Sequence, residues 1–115
     1  MLQFTAHTRI FVGAEPLDFR NGIDGTIACC KRRLNMDPME GAIFLFISQN
    51  RKQVRVLFYD GQGFWLCTKR LSSGTFPYWP KEKPASQLYA EQVYLLLRGG
   101  DFSQAKGLAD WRKIS

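Results

Sequence analysis

Apolar residues fall into two rhythms along this chain. Between positions 23 and 34, Ile23, Ile27, Cys30 and Leu34 recur every three or four residues, the spacing that lines one side of an α-helix. From position 42 onward the rhythm changes. Residues 42–47 read Ala-Ile-Phe-Leu-Phe-Ile, apolar on both faces, as a central strand would be. Residues 53–59 and 64–69 are strand-like and flank Asp60-Gly61-Gln62-Gly63, whose glycines admit the positive φ angles of a tight hairpin. If Tyr59 faces Phe64, then Leu57 faces Leu66 and Arg55 faces Thr68 on one side of the ribbon. The other side holds Val54, Val56, Phe58, Trp65, Cys67 and Lys69. Both faces are largely apolar near the turn, so a helix is expected over one and more chain or a partner over the other. The pattern does not assign which is which.

The flanking segments are plainer. Residues 8–12 alternate apolar with polar and suit a short first strand, which Glu15 and Pro16 break. Asp18 suits the cap of the first helix, although Gly22 and Gly25 weaken its first turn. Residues 71–76 read as a turn leading into a last short strand, and 77–84 as a proline-rich, basic, aromatic connection. A second helix is expected over 89–98, with Tyr89, Val93, Leu96 and Leu97 inward and Gly99 ending it in the left-handed conformation. The expected fold is α+β: a small antiparallel sheet of about four to five strands around the hairpin 53–69, packed by two helices. The domain covers 1–102, and 103–115 is a polar, basic tail around Trp111.

Length and charge narrow the classes. A chain of 115 residues has room for one core. The aromatic residues crowd between Phe44 and Trp79, which marks that segment as its centre. No apolar run approaches the roughly 20 residues that span a bilayer, and the first ten residues lack a signal-peptide pattern, so a cytoplasmic setting without membrane contact is expected. Three cysteines, Cys29, Cys30 and Cys67, are an odd set best read as reduced thiols. Sixteen Lys and Arg against ten Asp and Glu leave a formal charge of +6, which favours polyanionic partners.

The side chains that carry chemistry point away from catalysis. Two-metal strand transfer needs converging carboxylates. Of the candidates Asp18, Asp24, Asp60 and Asp101, the first suits a helix cap and the third a hairpin turn. His7 and three scattered cysteines lack zinc spacing, and Gly61-Gln62-Gly63 is no phosphate-cradling loop. No enzyme, metal or cofactor is expected. The basic residues are more telling: antiparallel pairing brings 53–55 opposite 68–70, so Arg51, Lys52, Arg55, Lys69 and Arg70 meet at one end of the ribbon. Clustered cations repel one another unless anions neutralise them, and duplex phosphates do so with counterion release. The plain alternative is a solvated strand end guarded against edge aggregation. Lys31, Arg32 and Arg33 are accounted for by the negative end of their helix. Tyr78 and Trp79, between Pro77 and Pro80 and followed by Lys81 and Lys83, are the best candidates for an exposed aromatic recognition surface.

The run Pro16-Leu-Asp-Phe-Arg-Asn-Gly-Ile-Asp-Gly25, the strand 42–47, the string from Val54 through Asp60-Gly-Gln-Gly-Phe-Trp to Phe76, and Tyr78-Trp79-Pro80 resemble one family. It is the TnpB/Orf2-type accessory protein of the insertion-sequence-66 family of bacterial transposable elements. The resemblance covers about residues 8–102, with local departures at Cys29-Cys30 and at Arg98-Gly99-Gly100-Asp101. It implies a non-catalytic component encoded beside a larger DDE-type transposase, and it transfers no catalytic residues. Two mechanisms stay open. In one, the protein binds DNA through the five cations at the element's ends. In the other, it docks on the transposase, or on other proteins of the same element, without touching DNA.

Overall fold

The computed structural model describes residues 8–104. Its elements are β1 (Ile10–Gly13), α1 (Ile23–Arg33), β2 (Ile43–Ile47), β3 (Gln53–Tyr59), β4 (Phe64–Arg70), β5 (Ala85–Leu88) and α2 (Ala90–Leu97), with short 3₁₀ turns at Pro38–Glu40 and Phe102–Gln104. The strands form one sheet in the order β4-β3-β2-β1-β5. All neighbours are antiparallel except β1 and β2, which pair parallel, Ile10 opposite Ile43. The antiparallel expectation is corrected at that pair. Parallel neighbours need a long crossover, and here α1 occupies it.

β2 is the central strand, and all five of its residues are buried. One face of the sheet packs Ile43, Leu45, Val54 and Val56 against Val93 and Leu96 of α2, with Phe76 and Trp79 filling in. The opposite face packs Phe44, Phe46 and Leu57 against Cys29, Cys30 and Leu34 around α1. The molecule is therefore a three-layer α/β/α sandwich, which explains why the hairpin is apolar on both sides.

The hairpin register is the one the turn predicts, Tyr59 opposite Phe64 through Gln53 opposite Arg70. Gly61 takes φ +96°, and Asp60 closes the turn by accepting the N–H groups of Gln62 and Gly63, both at 2.8 Å. Gly99 ends α2 at φ +82°, donating to Leu96 while Gly100 donates to Leu95. Without a Cβ it meets no penalty there.

Three further expectations are corrected. Asp18 does not cap α1. The capping position is Gly22, without a side-chain bond, and Asp18 instead accepts from the Arg20 backbone and guanidinium. Tyr89 is exposed rather than inward, because it precedes α2 and its N–H donates to Gln92 Oε1. The last strand does not follow 71–76. It is Ala85–Leu88, a short edge strand antiparallel to β1. Half of its residues are polar, since an edge gains from partial solvation. His7, and all of the tail from residue 105 onward, lie outside the described residues.

Candidate nucleic-acid interface

The end of the sheet where β2 turns into β3 and β4 finishes is built by a compact loop. Asn50 Oδ1 accepts from Ser48 Oγ and from the Lys52 N–H, while Ser48 Oγ accepts from the Gln53 N–H. Arg51 takes φ +61° at its apex. The chain beyond β4 is laced to this loop, since Leu71 N–H donates to Lys52 O and Phe76 N–H to Arg51 O, each at 2.9 Å. A polar connection of this length stays in place because its own side chains satisfy its backbone.

The five predicted cations divide on this frame. Lys52, Lys69 and Arg70 are exposed at the same end of the ribbon. Lys69, on the α2 face, donates from Nζ to the carbonyl of Leu97 in the last turn of α2, where the helix's negative end favours a cation. Arg70 shares the other face with Gln53, its cross-strand partner. The side chains of Lys52 and Arg70 make no hydrogen bond or ion pair among the described residues. Arg51 is half-buried, its guanidinium donating to Phe76 O at 3.0 Å. Among the described residues none of the four is paired with a carboxylate: the ion pairs Arg20–Asp18 and Lys83–Glu15 engage other residues.

Arg55 does not belong to that surface. It is only 8% exposed, and its guanidinium donates to Asn21 O at 2.6 Å and Phe19 O at 2.9 Å while lying 4.2 Å from the centre of the Phe19 ring. Burial draws its pKa below the ordinary guanidinium range. The side chain ties segment 17–22 to the sheet. Its alternation was the overlooked signal, because Arg55 shares a face with Leu57 on a strand flanked by both β2 and β4.

The aromatic pair also separates. Tyr78 is exposed, but Trp79 is 5% exposed, with Nε1 donating to Gly13 O at 2.8 Å and its ring edge-on to Phe76. Trp79 is thus a core anchor, since a buried indole needs a partner for its N–H. Trp65 is the more exposed indole, at 54%. It stacks on Phe58 and donates to Asp60 Oδ2.

Of the acidic candidates, Asp18, Asp60 and Asp101 each have their own separate hydrogen-bond partners. Hydrogen bonds from Gly63, Gln62 and Trp65 hold Asp60 below the usual carboxylate range. Arg20 lowers Asp18 to about 2, and Asp101 accepts from Ser103. Among the described residues, no three His, Cys, Asp or Glu side chains gather to hold a metal ion. A recess of about 450 Å³ beside the basic end is lined by Asp18, Arg20, Gln49, Gln53, Arg55 and Thr68 among others. No helix among the described residues is long and apolar enough to cross a membrane.

A family model described as IS66 Orf2-like protein matches residues 8–107, the whole of the described fold. The chain belongs to the IS66 Orf2-like family. Among curated relatives, this IS66 Orf2-like chain is 37% identical over 98 residues to the uncharacterized protein y4jC of Sinorhizobium fredii, covering 85% of this chain and 84% of that one. It is 29% identical over 102 residues to the uncharacterized protein y4hO of the same organism, covering 89% of each. No solved structure matches it. Membership associates the protein with the transposition machinery of IS66 elements.

Proposed function

We propose that this protein serves transposition as a non-catalytic accessory that holds the phosphate backbone of the element's DNA against one end of its hairpin, beside a separate transposase. The observation that carries the reading is that Lys52, Lys69 and Arg70 stand exposed at one end of the ribbon, Lys69 on one face of the sheet and Arg70 on the other, without carboxylate partners among the described residues, on a chain of net charge +6. Three cations in that arrangement attract a polyanion, and phosphates answer them with release of counterions. Gln49, Gln53 and Thr68 in the adjoining recess add neutral groups suited to phosphate and sugar oxygens. The separate engagement of Asp18 in an ion pair and of Asp60 and Asp101 in turns supports the non-catalytic part of the reading. The three free thiols suit a reducing cytoplasm.

The test is a salt titration of binding to a DNA fragment carrying an element end. Three phosphate contacts give a log-log slope of roughly −2.7, at about −0.9 per contact. Capture of the transposase that survives nuclease treatment, together with DNA affinity indifferent to salt, would replace this reading with direct protein docking.

A further inference from the structure

The two edges of the sheet are unequal. β5 is four residues long and directly follows Pro84, so it offers little to a new strand. β4 is seven residues long, contains neither proline nor glycine, and has no strand on its outer side among the described residues. The bonds Asp60 N–H to Gly63 O and Leu71 N–H to Lys52 O set the phase of the hairpin ladder. Odd-numbered residues of β4 face β3. Phe64, Leu66, Thr68 and Arg70 therefore turn their backbone N–H and C=O groups outward, ready to pair.

We propose that β4 is the interface of a twofold dimer, two copies of this chain joining antiparallel along their β4 edges into one ten-stranded sheet. Full overlap of the seven residues places Phe64 opposite Arg70 and Leu66 opposite Thr68 of the second copy, and all four are residues with outward bonding groups. The phase of the ladder therefore agrees with the register of greatest overlap. Trp65 then faces the second copy's Lys69, on the same side of the sheet, and Cys67 faces its own counterpart at the axis.

Charge favours this occupant and this direction. The first half of β4, Phe64 to Cys67, is uncharged and the second half ends in Lys69 and Arg70. Antiparallel pairing sets each basic half against the other copy's apolar half, so that like charges do not meet. Parallel pairing would put Lys69 against Lys69 and Arg70 against Arg70, which repel. An isologous contact also uses up the long edge, so assembly closes at two copies.

The dimer places the two Cys67 residues in a non-hydrogen-bonded pair, where Cα atoms lie about 4.5 Å apart, within the range a disulfide spans. Cys67 is half-buried, whereas Cys29 and Cys30 are buried. This supplies the experiment. Under reducing conditions, sedimentation should give a particle of about twice the 13.2 kDa chain mass. Mild oxidation, in which an added two-electron oxidant takes the electrons of two thiols as their protons leave, should yield a covalent dimer in wild type and in Cys29→Ala/Cys30→Ala, and none in Cys67→Ser. Thr68→Pro deletes one outward N–H at an exposed position and should shift the protein to monomer with an unchanged circular dichroism spectrum. A monomer at every concentration, or a dimer that does not cross-link through Cys67, overturns the proposal, and neither result depends on whether Thr68→Pro folds.

Discussion

Replacing Arg55 with alanine separates a structural cation from a DNA-binding one. In the folded protein the guanidinium donates to Asn21 O and Phe19 O and lies on the Phe19 ring. Hydrogen bonds from a charged donor contribute about 1.5 to 3 kcal/mol each. Relief of the charge's burial on truncation returns part of that sum, since several kcal/mol oppose placing an ion in the interior. The net loss expected for Arg55→Ala is about 3 kcal/mol. The domain stays folded, because small domains are stable by roughly 5 to 15 kcal/mol. With an m-value of about 1.5 kcal/mol/M, the urea midpoint should fall by about 2 M. Arg55→Lys should recover little of it, because an ammonium lacks the planar fork that reaches two carbonyls. DNA affinity of the folded variants should keep the wild-type salt slope. A stability loss below about 1 kcal/mol, combined with a slope shallower by about 0.9, would show that Arg55 reaches phosphate after all.

Three further outcomes follow from the same geometry. Trp79→Phe keeps the aromatic bulk but leaves Gly13 O without its donor, so thermal unfolding should report a loss of about 1 to 3 kcal/mol. A thiol reagent at mildly alkaline pH should label Cys29 and Cys30 only on unfolding, since burial pushes the Cys30 thiol up to about 12 and raises Cys29 too. Asp18 should titrate near 2 by NMR and move up toward 3.8 in Arg20→Ala. Because the folded value lies below the unfolded one, whatever stability this pair contributes is present above about pH 4 and disappears as the pH falls toward 2.

Much of the fold was legible because several local signals agreed. Alternation, β-branched and aromatic composition and a Gly-rich turn together dictated the hairpin register. The unbroken apolar run of β2 announced a strand covered on both faces. What escaped was decided by distant backbone. Nothing near Arg55 in sequence shows that carbonyls at positions 19 and 21 will surround its guanidinium. The prolines around Trp79 suggested an exposed loop, yet Gly13, 66 residues earlier, supplies the acceptor that makes burial of the indole favourable. β5 was missed because four half-polar residues carry little periodic signal, and its pairing with β1 is a long-range event.

The basic end of the ribbon is tested most directly by comparing two double variants in the same salt titration. Lys52→Ala/Arg70→Ala removes two exposed cations of the ribbon's end whose side chains have no partner among the described residues, and Lys31→Ala/Arg32→Ala removes equal charge from the end of α1. The first should flatten the log-log slope by about 1.8 and the second should leave it near the wild-type value. Equal flattening by both would mean that net charge alone draws the DNA, and that the ribbon's end has no particular part in holding it.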